Sequence, residues 1–131
     1  MVVPVYNGEM TISDVLQHIS KLDYPDDKLE VIVVDDGSVD ETVRIVKEYS
    51  AKLIEKEHSG YPSTMNAGVR IAKGEIVVIV DSDIYLAEDW LKIIMEEFND
   101  PGVGIASGYI ATKPTARFWA RVVGFESEDR Y

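Results

Sequence analysis

Gly74-Glu75-Ile76-Val77-Val78-Ile79-Val80-Asp81-Ser82-Asp83 holds the longest unbroken β-branched run of this chain. A β-branched run without polar alternation needs cover on both faces, so it predicts a central strand of a parallel sheet. It closes in acid. On a strand, residues two apart share a face, so Asp81 and Asp83 are expected to point together into the space beyond the strand's carboxyl end. In open α/β sheets that space is where ligands bind. Paired carboxylates repel unless a cation, a proton or a donor lies between them, and a hard divalent ion bridging to a phosphate meets that need.

Two earlier runs have the same form. Val31-Ile32-Val33-Val34 ends in Asp35-Asp36-Gly37, and Val2-Val3-Pro4-Val5 ends in Tyr6-Asn7. Pro4 cannot donate to a ladder, which predicts that it sits at the strand's end or at a bulge. Between the runs, Ile12, Val15, Leu16, Ile19 and Leu22 recur at helical spacing, and Asp23 to Asp27 stops that helix. Ser38-Val39-Asp40-Glu41 has the form of a capping box before a helix that runs to about Tyr49. Leu53-Ile54 marks a weaker strand near an edge. The loop His58 to Ser63 leads into a helix carrying Asn66, Ala67 and Gly68, expected to close on Lys73 with Gly74 as its cap. Leu91, Ile94, Met95 and Phe98 stripe another helix; Val103 to Ile110 reads as a strand, and Phe118 to Phe125 as a last helix.

Strands alternating with helices require parallel crossovers, so the expected class is α/β, a doubly wound, mostly parallel sheet with helices on both faces. One acidic pair closing a strand is adequately explained as a solvated strand end. Two such pairs on neighbouring strands favour a metal and phosphate site. His58 reads as a surface or capping residue, and His18 has no evident partner in the sequence. No Walker or dinucleotide phosphate loop is present.

The chain has 131 residues, 46% hydrophobic and 28% charged, within the range of a single globular domain. Its net charge of -11 disfavours nucleic acid and leaves an anionic ligand in need of a metal or local donors. It contains no cysteine, which excludes disulfides and thiolate metal sites. The expected location is cytoplasmic, extending to the inner membrane surface.

Pro4-Val5-Tyr6-Asn7-Gly8-Glu9, Val34-Asp35-Asp36-Gly37-Ser38, Asn66-Ala67-Gly68 before Gly74-Glu75, and Asp81-Ser82-Asp83 together resemble the family 2 glycosyltransferases of the GT-A fold. The resemblance covers the nucleotide-sugar half of such an enzyme. It implies that the first strand's end (Pro4, Tyr6, Asn7 and Glu9) with Asp35 and Asp36 contacts the nucleotide base and ribose. It further implies that Asp81 faces the sugar nucleotide and that Asp83 binds Mn or Mg on the diphosphate. Met65 stands where many members carry a basic residue. The implied reaction is an inverting transfer from a nucleotide-diphospho-sugar donor to an acceptor that the sequence does not name, with lipid-linked acceptors and polysaccharides as the candidates.

Other readings differ in class. A phosphoryl-accepting receiver domain also pairs two acids with a later aspartate, and Lys113-Pro114 resembles its lysine. Its acid pair, however, should follow the first strand, and Ser107 and Lys113 lie too close to end successive strands separated by a helix. A nucleotide-binding fragment without turnover is the other alternative. Glu126, Glu128 and Asp129 follow Asp83 too closely to be the family's catalytic carboxylate and read as a solvated helix face. The expectation is therefore a fragment of a longer glycosyltransferase that binds donor but transfers sugar poorly. Arg117 and Arg121 flank Phe118 and Trp119, which suits a membrane surface or a partner segment as well as packing on the sheet.

Overall fold

The computed structural model describes residues 1–108. The chain divides into two units, Met1–Lys92 and Ile93–Tyr131. In the first, β1 (Val2–Val5), β2 (Ile32–Asp35) and β3 (Lys52–Glu55) form a parallel sheet in the order β1-β2-β3. Register pairs Val2 with Ile32 and Val5 with Asp35, then Ile32 with Lys52 and Asp35 with Glu55. The three carboxyl ends therefore lie level. As expected, β3 is the weak outer strand, with no fully buried residue, whereas every residue of β1 and β2 is buried.

Alternation along the strands supplies two apolar faces. Val2, Ile32 and Val34 form one core with Ile54 and with Ala67 and Ile71 of α3 (Tyr61–Ile71). The opposite side holds Val3, Val5 and Val33, and is covered by α1 (Ile12–Ile19) and α2 (Thr42–Val46), whose Ile12, Val15, Leu16 and Val46 are buried. Helix α3 lies close to the sheet because it meets it at a glycine. A Cβ on Gly68 would stand 2.3 Å from Val2 Cγ1 and 3.0 Å from Val34 Cγ2.

The opening stretch does not lie where its sequence suggests. It joins the sheet beside β1, opposite β2, through a single parallel bridge between Val2 and Ile79. The Val2 amide donates to Val78 O at 2.7 Å and the Val80 amide to Val2 O at 3.0 Å. In a parallel ladder the next donor on this side would be residue 4. That residue is proline, which has no N–H, so the ladder stops and the chain turns, with Ile84 N donating to Asp81 O at 3.1 Å. Pro4 thus lies inside β1, opposite Val34, and not at its end. No strand among the described residues covers the outer edge of the stretch, so Val77 and Ile79 are partly exposed and only Val80 is fully buried.

Several boundaries also differ from expectation. Helix α1 ends at Ile19 and α2 at Val46, each followed by tight turns. Helix α3 closes on an extended Ala72, and Gly74 is not in the left-handed region where a glycine cap would sit. His18 does have a partner, since its Nδ1 lies 2.9 Å from the Leu86 carbonyl oxygen.

In the second unit, the end of α4 (Trp90–Glu96) runs into a 3-10 turn at Glu97–Asn99. Residues 103–108 form no strand, contrary to expectation. The proposed last helix, with Arg117, Phe118, Trp119 and Arg121, and the acids Glu126, Glu128 and Asp129 lie outside the described residues. No helix among the described residues is long and apolar enough to cross a membrane.

Candidate functional site

A cleft of about 610 Å³ opens at the carboxyl ends of the strands. It gathers Pro4, Tyr6 and Asn7 from the end of β1, Asp36 from just past β2, and Asp81 and Asp83 from the turn beyond Val80. Asp81 and Asp83 are both exposed and both line it, although they belong to a turn and not to one face of a strand.

The loop after β1 is fastened to the loop after β2. Asn7, at φ 49°, is the one non-glycine residue with positive φ among the described residues. This left-handed turn lets its amide donate to Ser38 Oγ at 2.8 Å while its Oδ1 accepts from the Val39 amide at 2.9 Å. The Gly8 amide donates to Thr42 Oγ1 at 2.8 Å, the Glu9 amide to Asp40 Oδ2 at 3.1 Å, and Glu9 Oε2 accepts from the Glu41 amide at 3.1 Å. Asp40 closes the turn ahead of α2 by accepting from the Thr42 amide at 3.0 Å. Burial pushes Asp40 up, but the Thr42 hydroxyl and the Thr42 and Glu9 amides hold its carboxyl below the usual range. The capping box expected of Ser38 and Glu41 is therefore not formed. Ser38 serves the opposite loop instead.

The adjacent acids Asp35 and Asp36 separate into distinct tasks. Asp35 is buried, and its Oδ2 accepts from the amides of Gly37 at 3.1 Å and Ser38 at 3.0 Å, closing the turn after β2. It does not line the cleft, and neither does Glu9. Asp36 faces the other way, toward the start of α3. It accepts from the Ser59 amide at 3.0 Å and the Gly60 amide at 2.9 Å, and pairs with Lys56 and with His58 Nδ1, the latter at 2.8 Å. Burial pushes the Asp36 carboxyl up, but the Lys56 ammonium, these amides and the Thr64 hydroxyl outweigh it and hold the group far below the usual carboxylate range.

His58 is not a bystander. Its ring stacks on Tyr6 with centroids 4.2 Å apart at 28°, and both rings line the cleft. Tyr61, at the start of α3, donates its phenol to Asp81 Oδ1 at 2.7 Å. That bond to the carboxylate, with partial burial, pushes the phenol up to about 12. Sequence reasoning assigned no site role to Lys56, Tyr61 or Thr64 and set His58 aside. The signal that could have found them is positional, because the loop after β3 also leaves the carboxyl edge of a parallel sheet.

The lining described contains three carboxylates and no Lys or Arg. Asp36 is neutralised internally, which leaves Asp81 and Asp83 as uncompensated charge. An exposed aromatic pair at one end and two exposed carboxylates at the other suit a ligand with a flat ring and an anionic group that arrives with a cation.

The sequence model of glycosyl transferase family 2 matches residues 1–127. The chain belongs to this family. It is 39% identical over 98 residues to the poly(ribitol-phosphate) beta-N-acetylglucosaminyltransferase TarS of Staphylococcus aureus, covering 70% of this chain and 17% of that protein. It is 34% identical over 119 residues to a poly(ribitol-phosphate) beta-glucosyltransferase of Bacillus spizizenii, covering 82% of this chain and 19% of that one. The chain thus spans about one fifth of the length of these relatives. Among solved structures, a Pyrobaculum calidifontis mannosyltransferase in complex with GDP-Man and Mn2+ superposes with a TM-score of 0.75 at 39% identity, over 79% of this chain and 32% of that one. TarS in complex with UDP-GlcNAc superposes at 0.68 and 31% identity, over 82% and 36%. The fold is that of the GT-A transferases, a parallel sheet with flanking helices.

Proposed function

We propose that this family 2 chain binds a nucleotide-diphospho-sugar donor in the cleft, with a divalent cation, for inverting transfer of the sugar to an acceptor hydroxyl. The observation that carries the reading is the convergence of Tyr6, Asp36, Asp81 and Asp83 on one cleft at the carboxyl edge of the sheet. The nucleotide sugars and the Mn2+ named for the solved relatives support it.

The donor set fits a hard cation. Asp81 and Asp83 offer exposed carboxylate oxygens, and no group of three or more His, Cys, Asp or Glu residues that could hold a metal occurs among the described residues. Mg²⁺ and Mn²⁺ accept such sites, binding through one or two carboxylates plus substrate phosphates. In this reading Asp83 holds the cation and Asp81 faces the donor. The cation supplies charge neutralisation of the diphosphate as it leaves.

The chain's own residues do the remaining work of binding. The ring of Tyr6, backed by His58, offers a stacking surface to the base. Asp36 keeps Gly60 and the start of α3 in place beside it. Because the lining described has no Lys or Arg, diphosphate affinity rests on the cation and on backbone donors. A thermal-shift screen of UDP-, GDP- and dTDP-sugars, each with Mn and with chelator, tests the reading. It predicts stabilisation by one nucleotide class with Mn only, and no stabilisation by any of them would overturn it.

A further inference from the structure

Asp36 reaches Asp81 through a chain of contacts that crosses the cleft. Its carboxylate holds the amides of Ser59 and Gly60 at 3.0 and 2.9 Å, which fixes the entry to α3. Gly60, at φ 90°, turns the chain so that Tyr61 opens the helix. The Tyr61 phenol then spans to Asp81 Oδ1 at 2.7 Å. Tyr61 is 51% exposed, so burial of its ring does not account for its orientation. The turn that carries Asp81 and Asp83 lies past the last ladder bond to β1. Among the described residues, it is this phenol that ties Asp81 to α3.

We infer that Tyr61 is a positioning residue for the donor site, holding the Asp81 carboxylate by Oδ1 so that Oδ2 and the neighbouring Asp83 face a cation-bound diphosphate. The inference rests on the donor-binding reading above and adds to it a residue that the motifs do not contain. A carboxylate has two oxygens and about four lone-pair sites, so one phenol bond orients the group without consuming it. Without the bond, Asp81 rotates about its side-chain torsions and must be ordered each time ligand binds.

The test is a set of calorimetric titrations of UDP and of GDP, with Mn and with chelator, against the wild-type chain, Tyr61→Phe, Asp81→Ala and the double variant. Phenylalanine keeps the ring and removes only the phenol oxygen. Tyr61→Phe is expected to weaken Mn-dependent binding by roughly three- to tenfold, the range for the net contribution of one ordinary intramolecular hydrogen bond, because the phenol acts through Asp81 and does not touch the ligand. Affinity in chelator should be unchanged, and in the Asp81→Ala background the substitution should have no further effect. Binding by Tyr61→Phe that equals or exceeds wild type would overturn the inference, because the phenol would then be idle or in competition with ligand. Equal losses in both backgrounds would also overturn it, showing that Tyr61 acts independently of Asp81. In either case wild-type binding with Mn leaves the donor reading standing, whereas no wild-type binding to either nucleotide removes both.

Discussion

Asp36 is the residue to which most of the cleft's geometry refers. A nearly buried carboxylate needs an opposite charge and donors, and Lys56, two loop amides and Thr64 supply them. Asp36→Asn keeps the shape but removes the charge and mismatches at least one donor. The expected loss of stability at pH 7 is about 1–3 kcal/mol, read from urea unfolding. Its pH dependence has a definite sign. The folded-state carboxyl lies below its unfolded value, so its contribution is complete above the ordinary carboxylate range and is lost as pH falls through and below it. The gap between wild type and Asp36→Asn should therefore be constant from pH 7 to 6 and shrink below about pH 4. Neighbouring acids looked equivalent in the sequence, where Asp35 and Asp36 close the same apolar run. The alternation of a strand separates them, sending Asp35 into its own turn and Asp36 to α3. His58 was illegible for a related reason, because its two partners, Tyr6 and Asp36, come from other strands.

At the scale of elements, apolar runs and helical stripes were sufficient to locate β1, β2, α1 and α4, because burial leaves a direct trace in composition. The position of the Gly74–Asp83 stretch was not readable. Its pairing is limited by Pro4 on another strand, and that coupling appears only once the strands are adjacent. Helix α3 depends equally on a partner, through Gly68 against Val2 and Val34. Gly68→Ala should gain about 1 kcal/mol of helix propensity. It should lose about 1–3 kcal/mol to overpacking, because the contacted methyls belong to stiff, fully buried valines. The expected outcome is a net destabilisation of up to about 2 kcal/mol, seen as a lower urea midpoint with an unchanged slope. Fastening of the loops after β1 and β2 gives a second expectation at this scale. Thr42→Val keeps the volume but removes the acceptor for the Gly8 amide, and should cost about 1–3 kcal/mol by the same measurement.

For the whole molecule, the acidic balance and the acidic cleft act in the same direction. A net charge of -11 repels a nucleoside diphosphate at long range, and salt screens that repulsion over about 10 Å at 0.1 M. In chelator, residual affinity for UDP or GDP should therefore rise with sodium chloride, whereas with Mn the dependence should be weaker or reversed. The doubly wound architecture and the position of the candidate cleft at its carboxyl edge were legible as a whole, because two acid clusters that each close an apolar run cannot both be core. In the proposed function, a cation held at Asp83 makes this acidic cleft a site for the donor's diphosphate. The measurement that tests it most directly is calorimetric titration of UDP and GDP into the wild-type chain and Asp83→Ala, each with Mn and with chelator. One nucleotide should bind the wild type tightly with Mn and at least about tenfold more weakly in chelator, where the diphosphate meets the Asp81 and Asp83 charges with no cation between them, and Asp83→Ala should abolish the difference. Equal affinity of the wild type with Mn and with chelator would contradict it.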